Sequence, residues 1–184
     1  MAISKRARTL GAGVLALITA ATISGSTAAA EETAPARPDK PTEPSLVGAV
    51  KTYRADGEAV RFRFDAHGLG ETARGTFHVS HYSADHTEGG EFSGTIDCLI
   101  VGGPVAIATG MVTKSDQYPG LVGVRRGFSV YDGGRKDRIG YSWVFDPGSL
   151  ESVPKCLSAA PFEWVEEGNF TTVEWLPIEG PKHK

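Results

Sequence analysis

Sulfur is scarce in this chain. Of 184 residues only two are cysteine, Cys98 and Cys156, which excludes Cys-x-x-Cys redox centres and four-cysteine zinc sites and leaves room for one disulfide at most. No apolar run reaches the roughly 20 residues a membrane-spanning helix needs; Leu10–Ile23 is about 14 long. Apolar residues never recur at 3.6-residue spacing over three turns, which argues against a helical architecture. Ser149–Leu157 has room for a single helical turn. An excess of base is also missing: 19 Lys and Arg stand against 22 Asp and Glu, so no nucleic-acid or anionic-membrane footprint is present. There is no P-loop, no His-Glu-x-x-His and no Gly-x-Gly-x-x-Gly opening a helix. Gly90–Gly94 reads GEFSG, with Ser93 one place out of register for a nucleophile elbow. These absences remove every motif-based argument for an enzyme, although a catalytic group assembled by geometry leaves no such trace.

Residues 1–30 have the layout of a signal peptide. Lys5, Arg6 and Arg8 form a positive head, the Leu10–Ile23 run follows, and Ala28-Ala29-Ala30 offers the small side chains a signal peptidase accepts. The expected localisation is secreted and extracellular, with no membrane attachment after cleavage. Loss of this segment leaves 16 basic against 22 acidic residues, a mildly acidic chain. Residues 31–45 carry Pro35, Pro38, Pro41 and Pro44 with no large apolar side chain, and read as a disordered linker. The folded domain is expected over 46–178, with a short tail at 179–184.

The domain is organised around Gly90–Lys114, two extended runs folded back on Gly102-Gly103-Pro104. Phe92, Ile96, Cys98 and Ile100 share one parity, as do Val105, Ile107 and Met111 after the turn, so each run offers one face to a core. The period of two continues elsewhere. Val60, Phe62 and Phe64 oppose Arg61, Arg63 and Asp65. Phe77, Val79 and His81 share a face, as do Val122, Val124, Phe128 and Val130. Ile139, Tyr141, Trp143 and Phe145 make an aromatic face, which brings much apolar area per residue. Asn169–Leu176 closes the set. About eight short strands separated by turns predict an all-β fold, a single antiparallel sandwich or barrel.

In an exported chain two lone cysteines predict a disulfide, Cys98 to Cys156, tying the central hairpin to the long loop before the last strand. A free thiol or a metal ligand is the alternative, but a reactive thiol needs a base and a positive setting. His67, His78, His81 and His86 cluster in sequence, and imidazole suits zinc or copper. On one strand, however, His78 and His81 face opposite ways, so His78, His81 and His86 make a weak metal site and no cofactor is expected. Asp132 and Asp137 bracket a Gly-rich turn, too few oxygens for calcium, and turn chemistry accounts for them. Glu163 and Glu174 form a conceivable carboxylate pair for glycoside hydrolysis, with nothing to place them across a cleft. Trp143, Trp164 and Trp175 are the candidate ligand-binding residues: exposed, they would form a stacking platform for sugars or a protein partner, and buried, they are scaffold.

The segments FRFDAH (62–67), ARGTFHVSHY (73–82), SGTIDCLIVGG (93–103), FSVYDGG (128–134) and YSWVFDPG (141–148) resemble a group of small secreted actinobacterial proteins labelled "repetin", and the likeness spans most of 46–176. The resemblance implies an exported all-β domain and brings no catalytic or ligand residues with it. The leading expectation is a secreted, non-catalytic β domain that binds cell-wall carbohydrate or an extracellular protein. The alternatives are a hydrolase inhibitor presenting Pro147–Pro161, or a metal-binding or enzymatic protein using the His67–His86 region.

Overall fold

Bulk and charge alternate along Val60-Arg61-Phe62-Arg63-Phe64-Asp65, and in the computed structural model that alternation becomes the wall of a barrel. The phenylalanines point inward and the charges meet water. The structure describes residues 43–144 and 148–174. The expected signal peptide, residues 31–42 of the linker and the C-terminal tail lie outside them, and Ser45 already belongs to the first strand.

Eight strands follow one another: β1 Ser45–Thr52, β2 Ala59–His67, β3 Arg74–Tyr82, β4 Gly89–Gly102, β5 Val105–Ser115, β6 Arg125–Tyr131, β7 Arg138–Tyr141 and β8 Glu163–Val173. Each is antiparallel to the next, and β8 pairs back onto β1 to close the ring. The choice between sandwich and barrel therefore falls to the barrel, which leaves no open sheet edge. There is no α-helix among the described residues; 149–157 is irregular, and a 3-10 turn at Pro119–Leu121 is the one helical element. That turn delays β6 to Arg125, later than the alternation starting at Val122 suggested.

Two other departures have local causes. The parity expected for Phe92, Ile96, Cys98 and Ile100 breaks at Asp97, where a bulge lets Ile96 face Gly110 and Cys98 face Thr109. An extra residue shifts everything after it to the other face. Leu99 and Val101 therefore enter the core, Ile100 is exposed, and Cys98 turns to the outer wall. In addition, β8 begins at Glu163, earlier than Asn169, because Glu163 and Trp164 pair with Ile139 and Arg138.

One end of the barrel is filled by aromatic rings. Phe64 and Phe77 each lie with ring centroids 5.0 Å from Phe128, and Phe170 stands 5.9 Å from Phe64. Phe77 has room because Gly94 and Gly110 are glycines: a Cβ at either would sit 2.5–2.7 Å from its ring.

The outer wall carries a strap, residues 148–162, laid across β5, β6 and β7. Cys156 bonds Cys98 with Cα atoms 5.5 Å apart, and its N–H donates to Thr109 Oγ1 at 3.2 Å. Ser152 and Val153 bond the backbone of Arg125, and the Ser129 hydroxyl donates to the Ala159 carbonyl. The strap lies this close because Gly127 and Gly140 lack side chains; a Cβ at either would be 2.1 Å from a strap carbonyl oxygen. Cross-linking across 58 residues lowers the entropy of the unfolded chain. The Cys98→Ser/Cys156→Ser double variant is expected to lose about 4 kcal/mol in urea unfolding.

The weakest part of the ring is the β7–β8 seam, where Arg138–Trp164 and Ile139–Glu163 are the ladder pairs. Carboxylates from the β6–β7 turn take over from the ladder. Buried Asp137 accepts from Gly133 N–H at 2.9 Å and Phe170 N–H at 2.8 Å, one with each oxygen. Asp132 accepts from the N–H and hydroxyl of Thr172. Asp137→Asn puts an amide NH2 against one of these N–H donors, and is expected to cost about 2–3 kcal/mol of unfolding free energy. Asp132→Asn, at a more open position, costs less.

Candidate functional site

The end of the barrel opposite the phenylalanine cluster is not filled. A cup of about 650 Å³ opens there between the end of β1, the start of β2, the end of β3 and the starts of β4, β6 and β8. Phe62, Val79, Phe92, Tyr141 and Trp143 line its depth, and Tyr118, Leu150 and Phe162 stand at its rim. Each of the three rim side chains is at least 40 % exposed, an apolar mouth that water alone does not explain. The volume falls in the range of about 300–1,000 Å³ typical of small-molecule sites.

The aromatic lining is a connected stack. Tyr141 lies between Phe62 and Trp143, with centroids 5.6 and 4.6 Å away and planes nearly parallel. Phe92 and Phe128 meet Trp143 edge to face, each at 5.6 Å. Arg126 is buried beside this stack; its guanidinium lies 5.6 Å from the Trp143 centroid and donates to the Ser149 carbonyl at 2.6 Å.

A second polar group sits where β1, β7 and β8 meet. Arg54 Nη2 pairs with Glu163 Oε1 at 2.7 Å and donates to the Tyr141 hydroxyl at 3.0 Å. The same hydroxyl donates to Glu163 Oε1 at 2.5 Å. Burial, and then the bond to Glu163, push the Tyr141 hydroxyl up to about 12, with Arg54 opposing. Arg54 Nε and Glu163 Oε2 are buried without a hydrogen-bond partner.

The structure separates the predicted tryptophans. Trp143 lines the cup. Trp164 points outward from β8, half exposed, under the Arg138 guanidinium 3.7 Å from its ring centroid. Trp175 lies outside the described residues, so no three-tryptophan platform is formed by those described. His78 faces outward near Glu91, at 3.4 Å, while His81 stands at the cup rim and bonds Glu58 at 2.7 Å. His86 sits in the β3–β4 turn at φ 58°, its ring 6.1 Å from Tyr82. Among the described residues no three His, Cys, Asp or Glu side chains are grouped to hold a metal. Asp132 and Asp137 hold backbone N–H groups, as described above. Glu163 opens β8, whereas Glu174, just past its other end, accepts from Gly103 N–H at 2.7 Å. A strand of that length holds them about 30 Å apart, against the roughly 5–9.5 Å of glycosidase pairs.

Arg54, Arg126 and the aromatic cup as a unit are absent from the sequence reading. Arg126 left a trace there: it falls on the parity of Val124, Phe128 and Val130, a charge on an apolar face. No protein-family model matches this chain, and no curated protein and no solved structure matches it either.

The raised Tyr141 value has a pH signature. Folding holds the hydroxyl protonated above the ordinary tyrosine range near 10, so the stability it contributes is complete below about pH 10. It is lost as the pH rises through about 12. Tyr141→Phe is expected to remove both the tyrosinate absorbance step near pH 12 and the matching part of the alkaline fall in melting temperature.

Proposed function

We propose that this is a non-catalytic extracellular binding protein, and that it holds a small, mostly apolar molecule in the mouth of its barrel. The observation that carries the reading is the half-filled interior. An eight-stranded barrel is just wide enough to be packed solid or to hold one small ligand, and here the packing stops at Phe62, Phe92, Tyr141 and Trp143. Binding is favoured over catalysis because acid and base at the cup are held in pairs instead of standing ready to act on a bound molecule: the Tyr141 hydroxyl joins Arg54 and Glu163, and His81 joins Glu58. The strap bearing Cys156 lies flat on the wall instead of protruding, which weighs against an inhibitory loop.

Export is part of the same reading. Its supports are the signal-like start of the chain and the Cys98–Cys156 disulfide, since such bonds persist where the surroundings oxidise. No helix among the described residues is long and apolar enough to cross a membrane. The wall itself carries Lys51, Arg61, Arg63, Asp65, Glu166 and Glu167 on its outward positions, facing water and not lipid.

The cup is a compact, mainly apolar recess where an extended glycan needs a long, polar groove, so a single small molecule suits it better than cell-wall polymer. Titration with an uncharged fluorescent apolar probe such as N-phenyl-1-naphthylamine is expected to quench tryptophan emission with a Kd of about 1–100 μM. Trp143→Leu should abolish the quenching, and Trp164→Leu should leave it. Binding weaker than about 1 mM, or loss on Trp164→Leu alone, overturns the reading.

A further inference from the structure

The ion pair at the cup indicates what the ligand carries. Arg54 and Glu163 both line the cavity, and the bond between them uses Nη2 and Oε1 alone. Arg54 Nε, a donor, and Glu163 Oε2, an acceptor, are left without partners, and neither touches solvent. A buried orphan of this kind is uncommon and calls for a reason. Two orphans of opposite kind, within one ion pair at the edge of an empty cup, match a ligand group with the reverse pattern.

Charge decides between head groups. A carboxylate drawn to Arg54 meets the Glu163 carboxylate, and an ammonium drawn to Glu163 meets the guanidinium. A neutral group that offers an acceptor and a donor side by side satisfies both atoms without repulsion. Because neither atom touches solvent, a ligand in the cup reaches them only when a neighbouring side chain moves aside. Phe162, next in the chain to Glu163 and 40 % exposed with its ring 5.1 Å from Tyr141, is the rim residue assigned that movement in the proposal below. The gain is larger than for a surface hydrogen bond, because Nε and Oε2 have already lost water and give up no bond to it when the ligand arrives.

Building on the binding role, we propose that the cup selects an aromatic molecule with a neutral amide or lactam head, the head on Arg54 Nε and Glu163 Oε2 and the ring among Phe92, Tyr141 and Trp143.

Isothermal titration of the intact protein with four naphthalenes of one shape tests this: 2-naphthamide, 2-acetylnaphthalene, 2-naphthoate and 2-naphthylmethylammonium. The amide is expected to bind at least about tenfold tighter than the other three, the effect of a hydrogen bond to a charged group. The Arg54→Met/Glu163→Leu double variant replaces the pair with apolar side chains of similar volume, a change buried ion pairs tolerate. It should bind the ketone as before and lose the preference for the amide. Equal affinity for amide and ketone overturns the head-group assignment while the cup stands, as does tightest binding of either ion. An amide preference that survives the double variant overturns it too. If none of the four binds, the binding role falls with it.

Discussion

A closed ring of eight strands encloses a volume that its own inward side chains must either fill or leave empty. Here the bulky side chains are distributed unevenly along the barrel axis. Phe64, Phe77, Phe128 and Phe170 crowd one half, with Gly94 and Gly110 giving way to Phe77. Toward the other end the inward positions are taken by Val60, Val79, His81 and Gly90, which do not meet across the ring. The cup is the remainder of that packing, and its aromatic walls are the exposed ends of the same stack that holds the core. Core and site are therefore continuous: Phe128 touches Phe64 on one side and Trp143 on the other.

Closure itself depends on very little at one place. The β1–β8 ladder runs the length of both strands, but β7 is four residues long and shares a short register with β8. The barrel tolerates this because Asp137 is buried with both carboxylate oxygens bonded to backbone N–H groups, one on β8. A buried charge is costly when unpaired, and here its hydrogen bonds stand where ladder bonds are missing. The residues that suggest a calcium loop are the clasp of the ring.

The strands were legible in the sequence because alternation is a local signal. Val60 to Asp65 needs no knowledge of its neighbours to be read as a wall. The disulfide was legible for a different reason, since two cysteines allow one pairing. What escaped is non-local. Parity says which face a side chain takes but not its height along the barrel, so nothing distinguished Phe77, deep in the packed half, from Phe92 at the cup. Arg54 and Glu163 are far apart in sequence and meet because β8 folds back between β1 and β7. The bulge at Asp97 escaped because one extra residue is decided by the partner strand, and it reversed the expected facing of Ile100. Of the three tryptophans, Trp143 is at the site, Trp164 is not, and no local pattern distinguishes them.

The strap joins two features that look independent. Gly148–Leu150 and Phe162, at its two ends, form part of the mouth, and Cys156 in its middle is the point anchored covalently to β4. The rim is thus held by an oxidised bond that the strands do not need for their own pairing. Reduction would remove the strap's one covalent anchor and leave hydrogen bonds such as those to β5 and β6 to hold it, so the shape of the lip is tied to the redox state of the surroundings.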